Sequence, residues 1–331
     1  MIRILLTAPY YEEAREKLAA MFGEVIYKPW KDHGRGYQPD ELIGLLEETR
    51  AGALITEHDE VTAAVIEAFP DLKFISVCRG TPSNVAVDTA TRSGIPVFNT
   101  PARNAQAVAE MFIGNLITLM RHTLAGIEWL KEGKWEAGAH TSYLQFKGNE
   151  IAGKTIGMVG FGATGQTIAN LVKHFPAKVK YYDPYLEAED PAYEKVTIEE
   201  VFATSDVVSV HLPVTPETRG LVGAALIGLM KPDAIFVNTA RAVVVERVAL
   251  LEAIRNNRIR GAILDVFDHE PPDEIDYALI RHPKVLATPH IAGATHEVED
   301  HHADILNNAL RAYFVAGDRA VKQWVNRTEK P

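Results

Sequence analysis

The sequence predicts an α/β protein made of two parallel sheets, each covered by helices on both faces. Three observations predict it. Short apolar runs alternate with amphipathic stretches along nearly all of the 331 residues. A glycine-rich turn, Gly160-Phe161-Gly162-Ala163-Thr164-Gly165, stands where a strand-like run passes into a helical one. Polar residues able to do chemistry fall just after three later apolar runs, where an open parallel sheet places its ligands.

The first series reads as a strand at Ile2 to Thr7, a helix at Glu12 to Met21, a strand at Ala53 to Thr56 and a helix at Thr62 to Ala68. Two more strands follow at Lys73 to Cys78 and Val97 to Asn99. A long helical stretch covers Ala105 to Lys131, and Gly133, Gly138 and a polar segment to Asn149 interrupt it. The second series has strands at Thr155 to Val159, Lys178 to Tyr182, Val207 to His211, Ala234 to Asn238, Gly261 to Asp265 and Val285 to Thr288. Its helices start near Thr164, Ile198, Glu217 and Val248, and a last helix runs from His296 to Val315.

At roughly 100–200 residues per domain, this length suggests two domains. Apolar residues make up 47% of the chain, enough for each to bury a core. The formal charge of −10 argues against a general affinity for nucleic acid, which needs a basic surface. The single cysteine, Cys78, excludes a disulfide framework and a multi-thiolate metal site, and no metal is expected. It lies in the apolar run Phe74-Ile75-Ser76-Val77-Cys78 and reads as a buried thiol. Met1 to Thr7 is too short for a signal peptide, and no run approaches the ~18 apolar residues of a membrane span. The expectation is a soluble, cytoplasmic protein.

The glycine turn fits the G-x-G-x-x-G pattern of a dinucleotide site. Gly160 permits the tight turn, Gly162 lets the backbone approach a pyrophosphate, and Gly165 lets the helix pack on the strand. The helix N-terminus at Ala163 and Thr164 offers free amides to the phosphates. Asp183 ends the next strand, 18 residues after Gly165, close to the ~20 expected for the acid that holds the adenosine ribose. A carboxylate there repels a 2′-phosphate, and Pro184 and Tyr185 follow it with no arginine. NAD is favoured over NADP.

The three later strand ends are Asn238-Thr239-Ala240-Arg241, Leu264 to Pro272 and Thr288 to Gly293. They carry Arg241, Glu270 and His290. Arginine holds a carboxylate in a bidentate fork. Histidine exchanges a proton near neutral pH. A glutamate on the far imidazole nitrogen fixes the tautomer and favours the charged form. Beside a nicotinamide these parts suit hydride transfer between a 2-oxo and a 2-hydroxy acid. With 12 histidines in the chain, His211, His269 and His282 compete with His290, and His269 adjoins Glu270.

These segments, taken together and in order, resemble the D-isomer-specific 2-hydroxyacid dehydrogenases. The likeness is carried by Asn99 to Glu110, the Gly160 turn, Val210-His211-Leu212-Pro213 with Thr215 to Thr218, Asn238 to Arg241, Asp265-Val266-Phe267 with Glu270-Pro271, and Pro289 to Gly293. The resemblance implies His290 as general acid/base, Glu270 as its partner and Arg241 as the clamp on substrate carboxylate and carbonyl. It implies Asp265 as a contact to the nicotinamide carboxamide, and Arg79-Gly80-Thr81 as the substrate loop. Gly162, Ala163 and Thr164 would meet the pyrophosphate, and Asp183 the ribose. His211, Leu212, Pro213 and Thr218 would line the adenine side, and Thr239, Ala240, His290 and Gly293 the nicotinamide.

The same resemblance implies two Rossmann-like doubly wound domains, the NAD-binding one (106–293) inserted into a discontinuous substrate domain (1–105 and 294–331). It implies a homodimer through the 105–150 region, with Trp129 and Trp135 as anchors. The chain departs from the pattern at Ala102 and Ala242, where many members have glycine, and at Glu246, where aspartate is common. The loop Arg79 to Ala86 lacks the usual acid after Asn84 and carries a proline. Phosphoglycerate, glyoxylate, hydroxypyruvate and sugar-acid chemistry all stay open, as does an NAD-sensing interaction protein akin to corepressors. A formate-dehydrogenase-like reading is disfavoured by Glu270.

Overall fold

The computed structural model describes residues 1–135, 139–186 and 191–327. The chain divides into two compact units, Met1–Asn104 with Thr295–Pro331, and Ala105–Ala294.

The first unit alternates β1 (Ile4–Leu6), α1 (Glu12–Phe22), β2 (Val25–Tyr27), α2 (Pro39–Thr49), β3 (Ala53–Thr56), α3 (Ala63–Ala68), β4 (Ile75–Val77), α4 (Val87–Arg92) and β5 (Val97–Asn99). The second contains α5 (Ala105–Met120), α6 (Thr123–Lys131), α7 (Ala139–Gln145), β6 (Thr155–Val159), α8 (Ala163–Val172), β7 (Lys178–Tyr182), β8 (Glu194–Lys195), α9 (Ile198–Thr204), β9 (Val207–Val210), α10 (Ala224–Ile227), β10 (Ile235–Asn238), α11 (Arg247–Arg255), β11 (Gly261–Leu264), α12 (Glu274–Ile280) and β12 (Val285–Ala287). The chain then forms α13 (Glu297–Leu310), which belongs to the first unit.

Both sheets are parallel. The first has the order β2-β1-β3-β4-β5 and the second β12-β11-β10-β9-β6-β7-β8. Order reverses beside β1 in the first and between β6 and β9 in the second, which is the doubly wound plan. Strands buried on both faces need apolar residues at every position, and β1, β3, β9, β10 and β11 are buried throughout. In the second unit Val208, Val210, Phe236 and Leu264 pack with α9 to α12 on one face. Ile156, Met158, Val237 and Ile263 pack with α5 and α8 on the other. In the first unit Ile4 and Leu6 meet α1 and α13, while Leu5, Leu54 and Ile75 meet α2 to α4. The returning helix α13 thus supplies Ala303, Leu306 and Leu310 to a core the first hundred residues leave half covered.

Several boundaries differ from the sequence expectation. The long helix breaks at His122, whose φ of 55° is left-handed, so α5 and α6 are separate. No helix starts at Glu217: residues 216–220 form turns, Thr218 Oγ1 donates to Pro213 O at 2.7 Å, and the short α10 begins only at Ala224. The elements β2, α2, α4, α7, β8 and α12 were not anticipated. All but α2 are seven residues or fewer, and β8 is exposed; α2 is longer, opens on Pro39 and has Glu41 closing a capping box. Gly138 lies outside the described residues. Ala102 sits at φ 65°, a left-handed backbone that explains why glycine would be at ease there. Glu246 accepts the Ala224 amide at 3.2 Å and so caps α10.

Candidate active site

The glycine turn leaves β6 at its carboxyl end. Gly160 has φ 91°, and a Cβ there would lie 2.9 Å from His211 O. A Cβ on Gly165 would lie 2.9 Å from Gly160 O, so helix and strand meet as closely as backbones allow. A Cβ on Gly162 would meet nothing within 4 Å. The backbone at the N-terminus of α8 is therefore open on the side where a pyrophosphate would lie. Asp183, just past β7, accepts the Phe161 amide at 2.8 Å through Oδ2 and the Tyr185 amide at 2.9 Å through Oδ1. Those bonds seat its negative charge against the turn.

On the neighbouring strand end, His211 follows β9 and pairs with Ser209 Oγ at 2.9 Å. Burial pulls its imidazole down to about 4, so it is neutral at pH 7. Leu212 is buried, and Pro213 and Thr218 close a turn beside it. After β10, Asn238 accepts the Ala240 amide at 3.0 Å and donates to Arg241 O at 3.0 Å, which shapes the turn carrying Thr239 and Ala240. Thr239 Oγ1 is buried with no partner among the described residues, the kind of orphan a bound ligand satisfies. The open Gly162 backbone, the Asp183 carboxylate and this hydroxyl all lie at carboxyl ends of one sheet, and they fit a dinucleotide.

Arg241, Glu270 and His290 follow β10, β11 and β12, three strands adjacent in the sheet. His290 Nδ1 lies 2.9 Å from both Glu270 oxygens. A carboxylate only accepts, so Nδ1 carries the proton and Nε2 is left for other work. No described residue bonds to Nε2. The two side chains are 48% and 45% exposed. Arg241 is exposed, and its Nη1 donates to Ala240 O at 2.7 Å.

His290 has φ 54°, a conformation that costs a non-glycine residue of order 1–3 kcal/mol. Asp265 offsets that cost. It is buried beneath the loop and accepts Thr288 Oγ1 at 2.6 Å, the Ile291 amide at 2.9 Å and the Ala292 amide at 2.8 Å. The loop carrying His290 and Gly293 is thereby fixed on both sides of the histidine.

The rival histidines are committed elsewhere. His269 turns its Nδ1 to Asp273 at 3.2 Å rather than to Glu270. His282 Nδ1 accepts the Lys284 amide at 3.2 Å at the end of α12.

The second unit contains the match to a family model described as "D-isomer specific 2-hydroxyacid dehydrogenase, NAD binding domain", over residues 113–292. The chain belongs to that family. It is 58% identical over 310 residues to YoaD of Bacillus subtilis (strain 168), a protein named as a 2-hydroxyacid dehydrogenase, covering 94% of this chain and 90% of that one. It is 38% identical over 263 residues to the hydroxypyruvate reductase of Thermotoga maritima, covering 79% and 84%. A solved acyclic imino acid reductase in complex with NADPH and D-Arg superposes with a TM-score of 0.79 at 27% identity, over 98% of this chain and 99% of that one. This dehydrogenase therefore uses NAD and acts on the 2-hydroxy/2-oxo acid couple that defines the family.

In the first unit, Arg79, Gly80 and Thr81 follow β4. Asn99 Nδ2 donates to Gly80 O at 2.7 Å and the Thr100 amide to Arg79 O at 2.9 Å, which braces the loop. Neither the Gly80 nor the Thr81 amide is bonded to a protein acceptor among the described residues. Sequence reasoning did not single out Arg247, Asp268, Asp273 and Asp276, which surround the base of the Glu270 loop. Asp273 and Asp276 have the i,i+3 spacing of a helix cap, and only the fold brings Arg247 of α11 to them. Among the described residues no helix is long and apolar enough to cross a membrane.

Proposed function

We propose that this dehydrogenase reduces a short 2-oxo acid of the hydroxypyruvate or glyoxylate type, with His290 as the proton donor. The observation that carries the reading is the His290–Glu270 pair, bonded through Nδ1, half exposed, and free at Nε2. Relatives support the substrate class. The chain is 38% identical to the Thermotoga hydroxypyruvate reductase and 37% identical to a Thermococcus litoralis glyoxylate reductase. An NAD-sensing interaction protein is not favoured.

Gly160, Gly162, Ala163, Thr164 and Gly165 would hold the pyrophosphate, and Asp183 the ribose. His211, Leu212, Pro213 and Thr218 would line the adenine side. Thr239, Ala240, Asp265 and Gly293 would face the nicotinamide, with Asp265 also bearing the His290 loop. Bound NADH supplies the hydride. Protonated His290 gives the proton from Nε2 to the substrate oxygen as charge develops there. Glu270 stabilises the imidazolium and holds its ring. Arg241 takes the substrate carboxylate in its fork. Arg79, Gly80 and Thr81 are proposed as further carboxylate donors, on the ground of the two unbonded amides.

We further propose a cytoplasmic homodimer through the 105–150 region. Leu124, Leu130, Trp135, Tyr143 and Leu144 are all more than half exposed there, an apolar surface that invites a partner. Trp129 packs on Trp135 and Phe146 within the same arm. Sedimentation of the wild type should give twice the chain mass. A monomer at micromolar concentration contradicts this.

The decisive assay follows NADH absorbance with a panel of 2-oxo acids, and NAD with the matching D-2-hydroxy acids. Turnover with hydroxypyruvate or glyoxylate above 3-phosphohydroxypyruvate is expected. Preference for the phosphorylated acid contradicts the substrate assignment.

A further inference from the structure

One side chain ties the loop that carries Glu270 on both of its flanks. Arg247, the first residue of α11, reaches Asp268 at 3.1 Å through Nε, and Asp273 at 2.8 Å and Asp276 at 3.0 Å through Nη1. Asp268 lies two residues before Glu270 and Asp273 three after it. Asp276 is buried and also accepts the amides of His269 at 3.2 Å and Asp273 at 3.4 Å. Asp273 accepts the amides of Ile275 and Asp276 at 2.9 Å and so caps α12. The guanidinium holds the Asp273 carboxyl down to about 2. His269, Asp273 and Asp276 have the look of a cation site, and Arg247 is the cation that lies among them.

Glu270 itself has no such anchor. Among the described residues its carboxylate bonds only to His290. A pair this exposed contributes little by itself, because holding two mobile side chains together cancels most of the attraction. The pair persists only if the backbone beneath Glu270 is fixed in advance. Misplacing a catalytic group by about 1 Å can cost as much as 10²-fold in rate.

We propose that Arg247 is a positioning residue: by clamping the loop on both sides of Glu270 it aims that carboxylate at Nδ1 of His290. The inference rests on the proposed role of the His290–Glu270 pair. Other ionisable groups around the pair are Asp265 under the His290 loop, Asp268, His269 and Asp273 in the Glu270 loop, and Tyr277, which lines the same pocket with Arg281 over its ring at 4.8 Å.

The test is a double-mutant cycle with Arg247→Met, Glu270→Gln and the pair combined, because coupling appears only between residues that act together. Arg247→Met should lower kcat about 10-fold and leave KM for the 2-oxo acid and the Kd for NADH unchanged. In the Glu270→Gln background the same change should cost less than about 2-fold. Arg247→Lys should recover part of the loss, since an ammonium keeps the charge without the planar fork. An equal loss in both backgrounds, or a loss that tracks only the folded fraction by circular dichroism, overturns the proposal. Should Arg247→Met fail to fold, Asp268→Asn removes the nearer arm and reads the same coupling.

If the wild type turns over no 2-oxo acid, the functional reading fails but the clamp is still readable. Proton NMR without substrate should show a downfield Nδ1–H resonance of His290, present in the wild type and lost in Arg247→Met. Its persistence in the variant would overturn the clamp.

Discussion

At the carboxyl end of the first sheet an acid, an arginine and a histidine meet inside the protein. Glu57 bonds Arg103 and accepts Trp30 Nε1 at 2.9 Å, and Arg103 Nη1 lies 3.0 Å from His302 Nδ1. His302 is fully buried, and its Nε2 lies 2.6 Å from Pro9 O, so both ring nitrogens are used. A carbonyl only accepts, which places the proton on Nε2 and makes Nδ1 the acceptor from Arg103. Burial pushes this imidazole below its ordinary range and keeps it neutral. Burial also pushes the Glu57 carboxyl up, but the Arg103 guanidinium brings it below its usual value. At the carboxyl end of the second sheet the same residue types, Glu270 and His290, lie half exposed with Nε2 unengaged. The residue types are shared, and Glu57, Glu270 and His290 all follow strands, whereas His302 lies inside α13. What separates structure from chemistry is whether the imidazole has a nitrogen left to give.

That contrast can be broken at either end. The largest expected effect is on stability in the first unit. Arg103→Met leaves Glu57 as an uncompensated buried charge, worth about 3–5 kcal/mol. Chemical denaturation should show that loss, while turnover per folded molecule stays near wild type. A variant as stable as the parent would mean the buried trio is not holding the loops. Next comes Arg241→Met, expected to cost about 2–4 kcal/mol of transition-state binding, seen mainly as a raised KM for the 2-oxo acid. Unchanged KM would remove Arg241 from the carboxylate site. Glu270→Gln should cost about 1.5–3 kcal/mol, the worth of a hydrogen bond to a charged group, or about 10–100-fold in kcat. A normal rate would reduce the pair to a surface contact.

The smallest effect concerns pH. His211 titrates in the fold at about 4, below the ordinary 6.5, so the unfolded chain takes up the proton first. Stability is therefore full above about 6.5 and falls as pH drops toward 4. His211→Asn should flatten that slope in thermal melts between pH 7 and pH 4.5. An identical slope would contradict the assignment.

Much of this was legible in the sequence. The glycine turn and its strand, Thr155–Val159, follow directly from apolar continuity and spacing. Asp183 stands out by its spacing from the glycine turn, while strand-end position left His269 as a rival to His290 and the family resemblance singled out His290 with Glu270. What the sequence hid was three-dimensional. The break at His122 depends on one left-handed residue that no periodicity marks. The burial of Glu57 and His302 needs α13 to return from 200 residues away. Arg247 has no neighbour in the chain that betrays it, and its three carboxylates are gathered only when α11 packs beside the Glu270 loop. Asp265 read as a cofactor contact, and only the fold shows it bonded to the loop that holds His290 in a strained backbone.

The measurement that tests the account most directly is His290→Gln, assayed for NADH oxidation with hydroxypyruvate beside a fluorescence titration of NADH. The account predicts a fall in kcat of about 10²–10⁴-fold with the Kd for NADH unchanged. Full turnover in the variant, or a loss of NADH binding as large as the loss of rate, would contradict it.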